Sequence, residues 1–332
     1  MHTHTHAMKI IPFGLLLGLV LSVAQAADPL PSWNEGPTKA ALISFITDAQ
    51  IESSEGFIPP AERIAVFDND GTLWSEQPMY FQLLFAVDRL KTLAKDDPSL
   101  ASAEPYRAVL EADRETLRTY GMKEIGEIIM RTHAGLTEAQ FASIVREWIS
   151  QATHPQTGMK YIDMTFKPMK ELLDALRGAG FKTYIVSGGG LSFMRPWVEG
   201  VYGIPPEQVV GSRVKVEYKV RDDGPALVRL PEIDLVDDKA GKPVGIYQVI
   251  GRRPVFAAGN SDGDFQMLEY TTAGPGPGFG LLVHHTDDER EYAYDRDSHI
   301  GQLDRGLDEA EERGWVVVDM ARDWASVYGN QD

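Results

Sequence analysis

Short apolar runs alternate along most of the chain with stretches whose apolar residues recur at helical spacing. The apolar runs predict strands at residues 63–68, 181–187, 253–259, 278–285 and 315–320. The helical spacing predicts helices at residues 36–50, 167–179, 191–203, 242–251, 264–271 and 307–314. Strands that alternate with helices are typical of a parallel sheet with helices on both faces. We therefore predict a three-layer α/β fold.

Two segments interrupt this alternation. Between residues 78 and 150, four stretches carry apolar residues at helical spacing and no strand-like run occurs, so we predict an inserted α-helical cap. Residues 209–235 alternate apolar and polar positions around "RDDG", which predicts a small β-hairpin insertion. The predicted division is a core of residues 27–76 and 155–332, interrupted by a cap of residues 77–154.

The N-terminal segment has the pattern of a signal peptide. Lys9 follows Met8, an apolar stretch comes next, and Ala24-Gln25-Ala26 forms an A-x-A cleavage site. We predict cleavage after residue 26, with export to a bacterial periplasm or secretion; the alternative is an uncleaved anchor. After cleavage we expect no stable membrane anchor. Residues 1–7, "MHTHTHA", are typical of an added tag or an overcalled start, so their histidines are not counted as metal ligands.

Charge and composition narrow the classes of partner. The net charge of −17 argues against nucleic acid or an anionic membrane as the main partner. A small anionic substrate stays compatible, because its site needs only local positive charge. The chain contains no cysteine, which excludes disulfides, zinc–thiolate sites and a cysteine nucleophile. Nothing in the sequence indicates an oligomeric state.

The first candidate site follows the first predicted strand, in "IAVFDNDGTLW". The turn after this strand can direct Asp68 and Asp70 into the same crevice, one as nucleophile and the other as general acid and base. Two carboxylates this close repel each other unless a cation lies between them, and Mg²⁺ is the cation that suits oxygen ligands and a phosphate. The alternative is an ordinary Asp-Gly turn.

Three further motifs lie near predicted strand ends or the start of a helix. In "YIVSGGG", the Ser187 hydroxyl and the Gly188 amide can bind a phosphate, although a plain loop is the alternative. In "GKPVGI", Lys242 can neutralise a nucleophile and a transferring phosphoryl group; Lys239 is a nearby competitor, and a surface lysine is the alternative.

The last motif, "FAAGNSDGDFQML", places Asn260, Asp262 and Asp264 within five residues after a predicted strand. Such a group can complete a Mg²⁺ site. The alternative is a helix N-terminus with acidic residues favourably placed on the helix dipole.

The order and spacing of these four motifs resemble the haloacid dehalogenase-like superfamily. Residues 180–268 look most like its phosphoserine phosphatase-like branch, and the resemblance covers most of residues 60–285. It implies a Rossmann-like core with an inserted cap, and a Mg²⁺-dependent hydrolase that acts on small phosphorylated substrates.

By resemblance, Asp68 would form an aspartyl-phosphate and Asp70 would act as acid and base, with both residues contacting Mg²⁺. Thr72 would hold the motif loop, Ser187 and Gly188 would bind phosphate oxygens, and Lys242 would steady Asp68. An aspartate at position 70 resembles the phosphatases and phosphotransferases, whereas the dehalogenases lack it.

One departure from the family pattern concerns the metal site. The usual Gly-Asp-x-x-x-Asp motif is here Gly259-Asn260-x-x-x-Asp264, with an asparagine where a metal-binding carboxylate is usual. We rank Asn260 with Asp264 first as metal ligands and Asp262 second. Because Mg²⁺ affinity follows ligand charge, we expect Asn260 to weaken the site.

Several weaker candidates surround these motifs. His284 and His285 could line the site mouth or simply end a polar strand, and Arg195 could act as a second phosphate cation. Trp74 and Glu76, at the predicted cap hinge, could contact substrate.

The sequence thus predicts an exported, Mg²⁺-dependent phosphatase for small phosphomonoesters, such as phosphoserine-like or phosphorylcholine-like compounds. The alternatives are a phosphotransferase of the same fold and a periplasmic binding protein with weakened catalysis.

Overall fold

The computed structural model describes residue 2, residues 27–117 and residues 119–329. The predicted signal peptide, residues 8–26, lies outside the described residues. The strands are β1 (Ile64–Phe67), β2 (Lys182–Gly190), β3 (Val209–Arg221), β4 (Gly224–Leu235), β5 (Phe256–Gly259), β6 (Phe279–His284) and β7 (Val316–Asp319). The helices are α1 (Pro37–Asp48), α2 (Phe81–Asp96), α3 (Tyr106–Glu111), α4 (Arg114–Leu117), α5 (Met122–His133), α6 (Glu138–Gln151), α7 (Lys167–Gly178), α8 (Leu191–Met194), α9 (Val198–Tyr202), α10 (Gly241–Val249), α11 (Phe265–Thr272), α12 (Arg305–Glu309) and α13 (Met320–Asp323).

The strands form one seven-stranded sheet in the order β4-β3-β2-β1-β5-β6-β7. All neighbours are parallel except β3 and β4, which are antiparallel. Along central β1, Ala65 and Phe67 face one apolar cluster, while Ile64 and Val66 face another on the opposite side. Both faces of β1 are therefore buried, as expected of a parallel strand covered by helices. The predicted three-layer α/β fold is confirmed.

Helices α2 to α6 follow β1 and precede β2, which is where the sequence predicts the cap. The exact boundaries of the predicted core and cap stay a prediction. None of the helices that the structure describes is long and apolar enough to cross a bilayer.

Two predicted helices are broken in the structure, and one is shorter than predicted. The predicted helix at residues 191–203 divides into α8 and α9 around Pro196, which has no backbone N–H with which to continue the helical hydrogen bonds. The second of the four helical stretches predicted for the cap, residues 103–120, divides into α3 and α4 after Ala112, whose φ of 53° is left-handed. Helix α12 ends at Glu309 instead of residue 314.

The predicted hairpin is present, and it joins the main sheet. The first residues of β3 pair with β2, and the remainder pairs with β4. The hairpin also meets the cap, because Gly135 N donates to Arg229 O and Arg229 N donates to Leu136 O, both at 2.9 Å. The sequence pattern did not predict this contact.

The Arg229 side chain strengthens the contact between hairpin and cap. Its guanidinium pairs with Glu138 at 2.7 Å, donates to the His133 carbonyl at 2.7 Å and lies 4.2 Å from the Phe141 ring centre. Arg229 is only 4% exposed. One cation thus links the hairpin to both α5 and α6.

Replacing Arg229 with alanine should therefore destabilise the protein. We expect Arg229→Ala to lower the free energy of unfolding by about 2–4 kcal/mol, because buried partners lose a charged donor. Urea unfolding measures this change. The control is Arg221→Ala, at the exposed hairpin tip, where we expect a much smaller effect. Equal stability of the two variants would contradict the linking role of Arg229.

Candidate active site

The loop after β1 brings Asp68 and Asp70 to the carboxyl edge of the sheet. Asp68 N donates to Ala258 O at 2.9 Å, and Gly71 N donates to Trp74 O at 2.8 Å, which closes the turn. Gly71 has a φ of 72°, and a Cβ there would overlap Asn260. Both conditions require glycine at position 71. The Trp74 indole donates to Asp70 Oδ1 at 2.8 Å, so Trp74 orients this carboxylate.

Lys242, on α10, is the buried cation of this site. Its Nζ lies 2.9 Å from Asp68 Oδ1 and 2.5 Å from Asp264 Oδ1, and it donates to the Val186 carbonyl at 3.0 Å. Burial alone would lower the pKa of Lys242, but the two carboxylates raise it, so the amine stays charged. The competitor Lys239 is exposed. The structure therefore brings Lys242, and not Lys239, to Asp68.

Asp264 holds this lysine and the turn after β5. Its Oδ2 accepts from the amides of Asn260 and Ser261 at 2.9 and 3.1 Å, while its Oδ1 contacts Lys242. Asp264 is 0% exposed. Asp264 therefore holds Lys242 in place through one oxygen and the β5 turn through the other, and its predicted metal contact stays a prediction.

Asp262 belongs to the turn after β5, and its side chain reaches the start of α12. Its carboxylate accepts from the amides of Gly306 at 2.8 Å, Arg305 at 3.1 Å and Asp304 at 3.3 Å. A carboxylate that satisfies the free amides of a helix N-terminus has a capping role. The structure thus gives Asp262 a capping role, and its predicted metal role stays a prediction.

Asn260 connects the β5 turn to the β1 loop. Its Oδ1 accepts from Thr72 Oγ1 at 3.1 Å, and its Nδ2 donates to Glu76 Oε1 at 2.6 Å. Tyr294 also donates to Glu76 Oε1, at 2.8 Å. Thr72 therefore holds the motif loop by orienting Asn260. Glu76, predicted at the cap hinge, is buried beside Asn260.

The glycine-rich end of β2 borders the same crevice. Ser187 Oγ accepts from the Gly189 amide at 3.1 Å, and a Cβ at Gly189 would lie 3.4 Å from Asp70 Oδ2. Gly188 is exposed next to buried Ser187. Ser187 and Asp70 thus lie on either side of Gly189, whereas a Cβ at Gly188 would be nearest to Asp238, at 3.8 Å.

Gln82, on cap helix α2, is a site residue that the sequence analysis missed. Its Oε1 accepts from the Gly190 amide at 2.6 Å, so the cap contacts the glycine-rich loop directly. The available signal was weak: one polar residue beside Phe81 and Phe85 on an otherwise apolar helix face.

His285 supports the β1 loop from behind. Its Nε2 lies 2.7 Å from the Gly71 carbonyl oxygen, and its Nδ1 lies 3.0 Å from Glu291 Oε2. His284 instead contacts Asp295 at 3.3 Å.

Arg195 donates to the Pro206 carbonyl at 2.9 Å, which gives no support to its predicted phosphate role.

Negative charge dominates the site. Burial, together with the Asp264 carboxylate, raises the pKa of Asp68 to about 8. Burial raises the pKa of Asp70 to about 6, and burial with repulsion from Asp70 raises the pKa of Glu76 well above its usual range. Lys242 is ion-paired with Asp68 and Asp264, while Asp70 and Glu76 add two further carboxyl groups to the same site. A divalent cation would favour their ionised forms.

The residues present fit Mg²⁺. The ion usually takes one or two carboxylates, together with waters and substrate phosphate. Asp68 and Asp70 offer carboxylate oxygens, and Asn260 offers an amide oxygen. Within the described part of the chain, no three His, Cys, Asp or Glu side chains form a metal-binding group. A site with a few protein oxygens is compatible with that finding.

Family comparison agrees with this geometry. The family model of haloacid dehalogenase-like hydrolases matches residues 65–269, which is more than half of the chain. The chain belongs to the haloacid dehalogenase-like hydrolases. The match runs from the first strand to beyond the Asp264 turn and so includes the whole carboxylate–lysine site of this family member.

Solved structures are similar to this chain at low identity, and the first of those below shows the same fold. A protein of unknown function from Anaerococcus prevotii is 15% identical, with a TM-score of 0.53, and the match covers 78% of this chain and 89% of that chain. A protein of unknown function from Bordetella pertussis is 17% identical, with a TM-score of 0.49 and coverage of 78% and 99%. A phosphoserine phosphohydrolase-like protein from Francisella tularensis is 17% identical, with a TM-score of 0.37 and coverage of 75% and 98%. No curated protein matches the sequence.

The capping role of Asp262 can be separated from a metal role. We expect Asp262→Ala to lower the free energy of unfolding by about 1–2 kcal/mol, because the α12 amides lose their acceptor. Its Mg²⁺ affinity, measured by isothermal titration calorimetry, should equal that of the wild type. Asp308→Ala, an exposed acid on the same helix, is the control for stability. Weaker Mg²⁺ binding by Asp262→Ala would contradict the capping role.

Proposed function

We propose that this hydrolase is a Mg²⁺-dependent phosphatase that hydrolyses small phosphomonoesters through an aspartyl-phosphate on Asp68. The observation that carries the proposal is the placement of buried Asp68, paired with Lys242 at 2.9 Å, beside Asp70 and the glycine-rich end of β2. Phosphoryl transfer depends mainly on positioning and charge stabilisation, and this arrangement provides both.

In the first step, an Asp68 oxygen attacks phosphorus and the ester P–O bond breaks. Asp70 donates its proton to the departing alcohol oxygen. In the second step, Asp70 takes a proton from water as the water oxygen attacks phosphorus, and the bond between Asp68 and phosphorus breaks. Phosphate is released and both carboxyl groups return to their starting state. The raised pKa of Asp70, about 6, is compatible with a group that gives and takes a proton near neutral pH.

Three groups would hold the phosphoryl oxygens: the Ser187 hydroxyl, the Gly188 amide and the Lys242 ammonium. Lys242 stays in place because Asp264 and the Val186 carbonyl bind it from the other sides. Bound Mg²⁺ would neutralise charge on the phosphate and on the carboxylates. Trp74 fixes the direction of the Asp70 carboxylate through its indole N–H.

The helical cap would select the alcohol part of the substrate. Gln82 reaches the Gly190 amide, so movement of α2 would change access to the phosphate-binding groups. A phosphoserine-like or phosphorylcholine-like ester is the proposed substrate class. Export to the periplasm or beyond, proposed from residues 8–26, would make the enzyme a scavenger of phosphate or of the alcohol.

Phosphate release from p-nitrophenyl phosphate tests the reaction. We expect Mg²⁺-dependent release by the wild type and a loss of at least about 10³-fold in Asp68→Asn, because the amide cannot act as nucleophile. The control is Asp323→Asn. Asp323 is buried, accepts a hydrogen bond from Thr38 and follows β7, the edge strand of the sheet, away from the central strands that carry the crevice. Unchanged turnover in Asp68→Asn would reject the aspartyl-phosphate.

A panel of small phosphoesters then identifies the preferred substrate. Addition of an alcohol acceptor distinguishes hydrolysis from transfer, since a phosphotransferase would form a new phosphoester in place of free phosphate. Ligand binding without any phosphate release across the panel would indicate a binding protein and reject the proposed activity.

A further inference from the structure

Glu76 and Asn260 form a buried pair between two neighbouring strands. Glu76 belongs to the loop after β1, and Asn260 follows β5 directly. Their side chains are hydrogen-bonded at 2.6 Å, from Asn260 Nδ2 to Glu76 Oε1, and the residues are 2% and 1% exposed. The pair lies where the family pattern usually has a metal-binding carboxylate at position 260.

The surrounding loops are shaped around the Glu76 carboxylate. A Cβ at Gly71 or at Gly301 would overlap Glu76 Oε1, and both glycines have positive φ angles, of 72° and 67°. Tyr294 donates to the same oxygen at 2.8 Å from a third segment. These contacts hold the carboxylate in a defined position beside Asn260.

The protein provides hydrogen bonds to this carboxylate but no cation. Within the described residues, no lysine, arginine or histidine forms an ion pair with Glu76, and its recorded hydrogen bonds come from the neutral donors Asn260 and Tyr294. A buried carboxylate without a cationic partner is costly. Asp68 and Asp70, close enough to repel Glu76, increase that cost.

We propose that, in the Mg²⁺-bound site, Glu76 is ionised and supplies, one hydrogen bond behind Asn260, the negative charge that an aspartate at position 260 would carry. Glu76 also fixes the Asn260 amide: with Nδ2 directed to Glu76, Oδ1 faces Thr72 and stays an acceptor for the ion. Charged groups behind the direct ligands tune metal affinity in this way. The inference rests on the Mg²⁺ site of the proposed function and makes Glu76 a positioning residue.

The charge of Glu76 can be removed while its hydrogen bonds are kept. In Glu76→Gln, the side-chain carbonyl oxygen can still accept from both Asn260 and Tyr294. We expect Mg²⁺ to bind this variant about 10–100-fold more weakly than the wild type, as for other residues behind metal ligands. Isothermal titration calorimetry without substrate measures the dissociation constant on the mature chain.

The double variant Glu76→Gln/Asn260→Asp exchanges the two groups. It restores one carboxylate and one amide to the pair, with the hydrogen bond reversed, so it should recover most of the lost affinity. Asp323→Asn is the matched control for loss of a buried carboxylate elsewhere, and it should bind Mg²⁺ as the wild type does. Circular dichroism and thermal unfolding establish that each variant is folded.

The outcomes separate this inference from the phosphatase proposal. Wild-type affinity in Glu76→Gln, no recovery in the double variant, or no Mg²⁺ binding by the wild type would each overturn the role of Glu76. If Glu76→Gln does not fold, a folded double variant with affinity far below that of the wild type overturns it as well. The predicted affinity pattern in a protein that releases no phosphate would uphold the role of Glu76 and reject only the proposed activity.

Discussion

The ammonium group of Lys242 is the interaction on which the site depends. It contacts Asp68 after β1, Asp264 after β5 and the Val186 carbonyl in β2, three adjacent strands of the sheet. A buried lysine is stable only when carboxylates compensate its desolvation, and a buried Asp68 requires the lysine in return. The carboxyl ends of the central strands are therefore held together by charge as well as by backbone hydrogen bonds.

Around this contact, most polar side chains position one another through hydrogen bonds. Asp264 supports Lys242, Trp74 directs Asp70, and Thr72 and Glu76 orient Asn260. The proposed phosphoryl transfer would require such support, because small errors in position reduce the rate strongly. The cap joins the same framework through Gln82.

The fold was largely predictable from the chain. Wholly apolar runs such as residues 64–67 indicate strands buried on both faces, and their alternation with helices leaves few topologies besides a parallel sheet. The breaks at Pro196 and Ala112 show the limit of periodicity, because apolar spacing continues through a local change of backbone direction. The meeting of hairpin and cap through Arg229 joins segments almost a hundred residues apart in sequence, so local patterns contain no information about it.

Within the site, the sequence by itself determined which strand ends carry polar groups: Asp68, Ser187 and Asn260, with Lys242 on the helix before β5. Only the tertiary structure decided what the oxygens of those groups contact. Asp262 and Asp264 are two residues apart and look equivalent in sequence, yet one caps α12 and the other holds Lys242. The Glu76–Asn260 pair was likewise invisible, because it forms between loops of neighbouring strands. Hydrogen-bond partners depend on side-chain direction in three dimensions, and residue spacing along the chain does not specify that direction.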